Sequence, residues 1–415
     1  MAANTFLVRS PGAATLAAGA TRLVGNILRL GGGSAEKSGG AKNLCIDFGG
    51  LQSLGGNLAN DPSCNLFEQG DLVTQSLGLL PADADGTVGL APNSPAIDRG
   101  PGGTVLVAFP DKVRPLLPCG YRDIRGLGRP QDGKGDGQFR CDSGAWELQG
   151  GPDIGPAQTG IFFDPARNGE GHFVELFGDG KALISTFTYG MNGGMAWFLG
   201  VGEVVGNSVV VDEMIATTGG RFGAAFDPEA IVRERVGGAS LVFPDCEAGA
   251  KPGHWAFQAD QLLDAYEDVS ARAVRLGSVV PCAGAPGALA HRSGTYYAPE
   301  RSGEGIVVHY LPDGRAVLVF YSYTPQGQPF WAISGETTVQ GNTLTAAMHF
   351  PSATTRFGRG FNAGQVSLAP WGTVTLTHTG CNTATFAYQS SMSGYGSGSH
   401  AYERLTQPAG TACPD

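Results

Sequence analysis

Apolar and polar positions alternate over short runs in the last third of the chain, at 305–310, 316–323, 329–334, 343–348, 372–377, 385–389 and 399–405. Successive side chains leave a strand on opposite sides, so each run predicts a strand with one buried face. Pro312-Asp-Gly314 and Pro325-Gln-Gly327 lie between neighbouring runs and predict hairpins, hence an antiparallel meander. A meander must close into a small barrel or fold into a two-layer sandwich to shield its edge strands, and short sequential links favour the barrel.

The pattern occurs twice. Gly294-Thr-Tyr-Tyr-Ala-Pro-Glu-Arg-Ser-Gly-Glu-Gly305 repeats Gly160-Ile-Phe-Phe-Asp-Pro-Ala-Arg-Asn-Gly-Glu-Gly171. Asp179-Gly180 then matches Asp313-Gly314, Trp197 matches Trp331, Gly206-Asn207 matches Gly341-Asn342, Phe222-Gly223 matches Phe357-Gly358, and Cys246 matches Cys381. The register slips by one residue between the motif and the cysteine, which places one net insertion between two copies of one module. Segment 261–275 has spacing that also suits a short helix, but its equivalent in the second copy is Gly394-Tyr-Gly-Ser-Gly-Ser, and the equivalence argues for strand. Near the start, Thr5-Phe-Leu-Val and 21–30 are short β-branched runs flanked by glycine, and they lean towards strands.

Composition sharpens this picture. Sixty-six glycines and 26 prolines, about 22% of 415 residues, mark a turn-rich chain that stays below the roughly 25–30% typical of disorder. A net charge of −10 and the absence of any basic run exclude a nucleic-acid-binding surface. No stretch is long and apolar enough for a transmembrane helix. Arg9, Arg22 and Arg29 interrupt the first thirty residues, which lack a signal-peptide core, so the chain reads as truncated at its start. The eight cysteines fall into near-neighbour couples, Cys45 with Cys64, Cys119 with Cys141, Cys246 with Cys282 and Cys381 with Cys413. The last two couples are equivalent in the repeats, which favours one disulfide per module and an oxidising compartment. No Cys-x-x-Cys spacing supports a metal site.

The first third carries a set of short motifs: residues 51–58, Asp61-Pro-Ser-Cys64, Asn93-Ser-Pro-Ala-Ile-Asp-Arg-Gly100, Cys119, residues 129–137 and Cys141-Asp-Ser-Gly-Ala-Trp-Glu147. Together they resemble the C-terminal end of the right-handed parallel β-helix proteins of bacterial surfaces known as choice-of-anchor Q domain proteins, over about residues 5–148. The resemblance implies the last coil or two of a β-helix and a terminal cap covering its exposed cross-section. The repeated module resembles uncharacterised modules of secreted gammaproteobacterial proteins, which implies a location rather than a chemistry. The expected organisation is all-β: a β-helix end and cap at 1–148, a linker at 149–158, one β-module at 159–282, a second linker at 283–292 and the second module at 293–415.

Arg167 and Glu170, repeated as Arg301 and Glu304, are the most suggestive polar pair. Beside Phe162, Phe163, Tyr296 and Tyr297 they offer charged groups for hydroxyls and aromatic faces for sugar rings; the alternative is an Arg–Glu pair across a glycine turn with the aromatics in the core. Trp197 and Trp331 have the same two readings, carbohydrate platform or core. Each motif holds one carboxylate, whereas glycoside hydrolysis normally uses two. Asp132 and Asp136 sit in a Gly-rich loop reminiscent of calcium ligation, but Lys134 stands where another acidic ligand is expected. Ser94 and Asp98 flank a Pro turn and suit local backbone hydrogen bonding. The seven histidines form no His-Glu-x-x-His, and no serine elbow, dinucleotide fingerprint or P-loop occurs. These features point to a secreted or cell-surface, non-catalytic binding protein with duplicated modules, glycan being the ligand class considered. The alternatives are a fragment of a polysaccharide-degrading β-helix enzyme and a structural spacer.

Overall fold

The computed structural model describes residues 5–8, 17–18, 21–30, 45–47, 51–109, 112–243, 246, 252–260 and 265–414. The fold is all-β with short 3-10 turns, and its two repeats are two closed eight-stranded barrels.

The first barrel runs Gly160–Phe163, Gly171–Leu176, Lys181–Tyr189, Met195–Val205, Ser208–Thr218, Val232–Val242, Gly253–Ala259 and Val269–Ser278, each strand antiparallel to the next. The last closes onto the first, with Phe163 opposite Val274. The second barrel repeats this order with Gly294–Tyr297, Gly305–Tyr310, Ala316–Tyr323, Pro329–Gln340, Thr343–Ala353, Val366–His378, Thr383–Ser390 and Ser397–Arg404, and Tyr297 opposite Glu403 closes it. Closure leaves no open sheet edge in either module. Strand Val269–Ser278 settles the described part of 261–275; residues 261–264 lie outside the described set.

Two strands are longer than alternation indicates, for one physical reason. The run at 329–334 stops where the register with the next strand shifts, between Ser334 and Thr337, and the run at 343–348 stops at the shift between Met348 and His349. An extra residue in a strand flips the inward phase, so periodicity breaks while the strand continues. The opening strand of each module lies inside the repeated motif and is too short to show alternation at all. Gly206 and Gly341, φ +57° and +58°, make the equivalent tight turns between the long strands.

Each barrel is filled by its inward side chains, among them Ile184, Phe198, Val211, Leu241 and Phe257 in the first and Ile306, Leu318, Phe320, Trp371 and Phe386 in the second. A third buried cluster lies between the barrels.

Ahead of the barrels, short strands pair in parallel in three ladders. Thr5–Val8, Ile27–Leu30, Leu58–Ala59 and Leu72–Val73 stack in one, Thr21–Leu23 on Leu51–Ser53 in another, and Ala17–Ala18 on Ile46–Asp47 in the third. The loops that follow are held by buried polar groups. Glu147 accepts from Arg129 Nε at 2.8 Å and from the Gln131 and Asp142 amides, while Asp142 accepts from the Asp98 and Leu148 amides. Burial holds the Asp142 carboxyl well above the usual carboxylate range, with Glu147 beside it adding to the effect. This segment docks on the first barrel through Leu117 N–H to Asp268, Ser240 to the Arg129 carbonyl, and paired amides of Gln131 and Asn207.

All eight cysteines are paired, as Cys45–Cys64, Cys119–Cys141, Cys246–Cys282 and Cys381–Cys413. No described helix is long and apolar enough to cross a membrane.

Candidate functional site

The repeated motif builds the junction of the two barrels. In the first copy Asp164 accepts from the Ala166 amide and caps the 3-10 turn Pro165–Arg167, which aims Arg167 back at Glu170. Glu170 takes Arg167 Nε on one oxygen and the Thr188 hydroxyl, at 2.7 Å, on the other. The guanidinium then crosses to the second barrel, donating to the Gly358 carbonyl at 3.1 Å and lying 4.4 Å from the Phe361 ring centre. The second copy does the same in reverse. Arg301 pairs with Glu304, donates to the Gly223 carbonyl at 3.3 Å and covers the Phe226 ring at 4.3 Å. The motif glycines are tied to the same junction: a Cβ on Gly169 (φ +111°) would come within 2.6 Å of Val366, and one on Gly303 (φ +119°) within 2.8 Å of Ile231, each on the opposite barrel.

Those carbonyls belong to loops that exchange side chains. Phe357 of the second module enters the core of the first, 5.5 Å from Phe257 and 5.2 Å from Tyr266, and Phe222 of the first enters the second, 5.3 Å from Tyr388 and 4.7 Å from Tyr395. Trp197 and Trp331 lie between the barrels. Trp197 packs 4.9 Å from Tyr321, and Trp331 packs 5.8 Å from Phe187 and donates to the Thr188 carbonyl. At the centre Glu175 meets its own repeat-equivalent, His309, at 3.4 Å, and accepts from Thr295 and Thr406 as well. The arrangement is that of an isologous two-fold interface built within one chain.

The sequence-predicted residues therefore divide. Arg167, Glu170, Arg301, Glu304, Trp197 and Trp331 come together at the junction, Phe162 and Tyr296 are buried in the barrel interiors, and Tyr297 is half-buried. Asp132 and Asp136 stand apart. Asp132 accepts from the Gly137 amide and Asp136 from the Gln138 amide while facing Arg140 at 3.6 Å, and among the described residues no group of three or more metal-ligating side chains converges. Asp98, at φ +48°, takes the Gly133 and Lys134 amides, and Ser94 donates to the Leu77 carbonyl, so both serve local backbone.

Beside the first motif the junction leaves a cavity of about 260 Å³. Phe163, Glu170 and Leu276 of the first barrel face Trp331, Ile333 and Leu368 of the second across it. Leu276 and Leu368 are more than half exposed and form an open apolar rim. Glu170 is the one carboxylate in the wall among the described residues, and both its oxygens are engaged. His172, also in the wall, is pushed down to about 3 by burial and secondarily by Arg167, so it is neutral at physiological pH. The cavity offers an apolar recess in which the described residues form no nucleophile–base pair.

Sequence reasoning missed Leu276 and Leu368, which carry no motif, and the exchanged Phe222 and Phe357. The latter had a signal: an aromatic residue before glycine, outside every predicted strand, recurs in both copies. Comparison with protein-family models, with curated proteins and with solved structures finds no match to this chain.

Proposed function

We propose that this is a secreted or cell-surface binding protein without catalytic activity, in which a locked pair of barrels presents the junction cavity to a glycan through the apolar face of a sugar ring. The cavity between the barrels carries the reading: it is walled by aromatic and aliphatic side chains, opens at Leu276 and Leu368, and holds a single, fully engaged carboxylate. A hydrolytic pair of carboxylates has no counterpart there. Four disulfides support an oxidising, extracellular setting. The three parallel ladders ahead of the barrels support the choice-of-anchor Q reading, with residues 5–148 as the last coils and cap of a parallel β-helix.

One observation favours the spacer as a second reading. Most motif residues are spent on joining the barrels, which makes them one stiff unit.

The test incubates the disulfide-bonded chain with a polysaccharide panel and scores retention and new reducing ends in the same tubes. Retention without cleavage, lost in Leu276→Arg and Leu368→Arg, is expected. Both positions are exposed, so the barrels tolerate the changes. Retention indifferent to both variants, or none at all, removes the glycan site in favour of the spacer, and reducing ends would establish an enzyme.

A further inference from the structure

A second cavity, of about 600 Å³, lies in the segment that precedes the barrels, where Gln69, Arg99, Lys134 and Arg140 are among its lining residues. Its size falls in the roughly 300–1,000 Å³ range of small-molecule sites. Two stretches far apart in sequence are joined there. Asp98, at φ +48°, accepts the Gly133 and Lys134 amides at 3.1 and 2.7 Å, which pins the 133–134 turn against the 95–99 turn. Lys134 Nζ then donates to the Ile97 carbonyl at 2.6 Å, while Arg99 donates from Nε to the Pro95 carbonyl and from a terminal nitrogen to the Gly70 carbonyl at 3.1 Å. Arg140 runs along the wall at Gly102, where an added Cβ would lie 3.2 Å from its Cγ.

The wall is cationic in a chain of net charge −10: among the described lining residues three are cations and one, Asp98, is acidic. Asp98 has an amide on each oxygen. Arg99 and Lys134 are held by neutral carbonyls, which fix their position and leave their charge unneutralised. Burial pulls Arg99 below the usual arginine value. Asp71 acts against that shift, but its two oxygens already accept from Asn57, from Ser53 and from the Glu68 amide. Arg140 faces Asp136 at 3.6 Å, and with side chains 39% and 45% exposed the pair is screened by solvent. The cavity thus holds a half-buried guanidinium with two further cations in the same wall, and its one lining carboxylate is spent on backbone. A cation drawn out of water without a matched anion carries a desolvation cost that a bound anion relieves.

We propose that this cavity binds an acidic saccharide, with the carboxylate of a uronate unit on Arg99, Lys134 and Arg140 and ring hydroxyls on the Gln69 side chain. Guanidinium and ammonium donors to a carboxylate make charge-assisted hydrogen bonds, the strong class. An inorganic ion would leave most of the volume unfilled, whereas a uronate unit joins one carboxylate to neutral hydroxyls and so matches a group of cations set among backbone and uncharged side chains. The cavity shares no lining residue with the junction cavity, so the two sites stand or fall separately.

The experiment is isothermal titration of the disulfide-bonded chain at constant ionic strength with trigalacturonate, with its fully methyl-esterified form and with sulfate, repeated on Lys134→Gln and Arg140→Gln. Lys134 is exposed and Arg140 half-buried, so the fold accommodates both changes, and melting temperature checks it. Saturable one-to-one binding of the acid is expected, about tenfold tighter than that of the ester or of sulfate and weakened roughly tenfold in each variant. Equal affinity for acid and ester would place binding on the sugar rings alone, and equal affinity for sulfate would assign the site to a free ion; either overturns the proposal. So does unchanged affinity in both variants, or no saturable binding of the acid. Leu276→Arg and Leu368→Arg should leave this binding intact, and its loss in them would move the acid to the junction and refute the site. Should a variant melt early, the ¹⁵N and ¹H shifts of the Arg99 Nε–H group in the unaltered chain decide: a change on adding trigalacturonate supports the proposal, and none refutes it.

Discussion

Replacing Phe357 by alanine tests whether the barrels are one folding unit. Phe357 is 4% exposed, lies in a loop of the second module and has its ring 5.7, 5.5 and 5.2 Å from Phe198, Phe257 and Tyr266 of the first. Truncating a buried phenylalanine removes its transfer free energy and leaves a cavity, about 3–5 kcal/mol together. Phe222→Ala carries the same expectation in the opposite barrel, where the ring packs on Phe320, Tyr388 and Tyr395. The two rings share no partner, so the losses should add to roughly 6–10 kcal/mol in the double variant, comparable with the whole stability of a domain. Urea unfolding followed by tryptophan fluorescence reads this directly, since Phe222 lies 6.4 Å from Trp371. One cooperative transition is expected for the unaltered chain and both single variants, with the midpoint moved and the slope kept. In the double variant proteolysis between the modules, around 283–292, should become fast. A loss below about 1 kcal/mol in each single variant would refute the exchange as a source of stability.

Other consequences are as direct. Arg129→Met leaves Glu147 buried without its cation and should cost about 3–5 kcal/mol by denaturant titration, whereas breaking the solvent-screened Arg315–Asp313 pair should leave the midpoint unmoved. Burial pushes His172 down to about 3 and His254 and His378 to about 4, below the unfolded value of 6.5. At these three positions the unfolded chain binds more protons below pH 6.5, so their contribution falls by roughly 2 kcal/mol per histidine at pH 5, while Asp142 and Asp268, held up by burial, contribute in the opposite sense. A melting temperature that responds to the step from pH 7 to 5 identically in His254→Phe and in the unaltered chain would contradict this. Reducing Cys381–Cys413, which spans 32 residues, should lower the stability of the second module by about 2–4 kcal/mol, read as the thiol dependence of the urea midpoint.

What was legible in the sequence is what local periodicity and repetition encode. Alternation at 305–310 and 316–323 gives the observed strands Gly305–Tyr310 and Ala316–Tyr323, and sequential hairpins give barrels rather than sandwiches. Cysteine spacing gives the four bridges. The destination of the motif residues was not legible, because an Arg–Glu pair across a glycine turn looks the same whether its far side meets solvent, a ligand or another barrel. The deciding contacts, Arg167 to Gly358 and Arg301 to Gly223, span 191 and 78 residues and leave no trace in local spacing.

Repetition did hold information of another kind, in the places where the copies disagree. At the junction most equivalent positions keep their type across the two-fold relation, as Phe187 with Tyr321, Tyr189 with Tyr323 and Trp197 with Trp331 do. On the axis the position is Glu175 in one copy and His309 in the other, and they face each other, fully buried, at 3.4 Å. Two copies of the first module would set carboxylate against carboxylate there, and two of the second imidazole against imidazole. The mixed pair sets an imidazole against a carboxylate, whereas two carboxylates there would repel, so this one difference disfavours association of two first modules. The barrel ends follow the same logic. Gln158 and Phe243 suit an end covered by the preceding segment, whereas Arg292 and His378 border an open cavity. Where the copies agree, the residues serve the barrel and the junction; where they part, the two ends meet different surroundings.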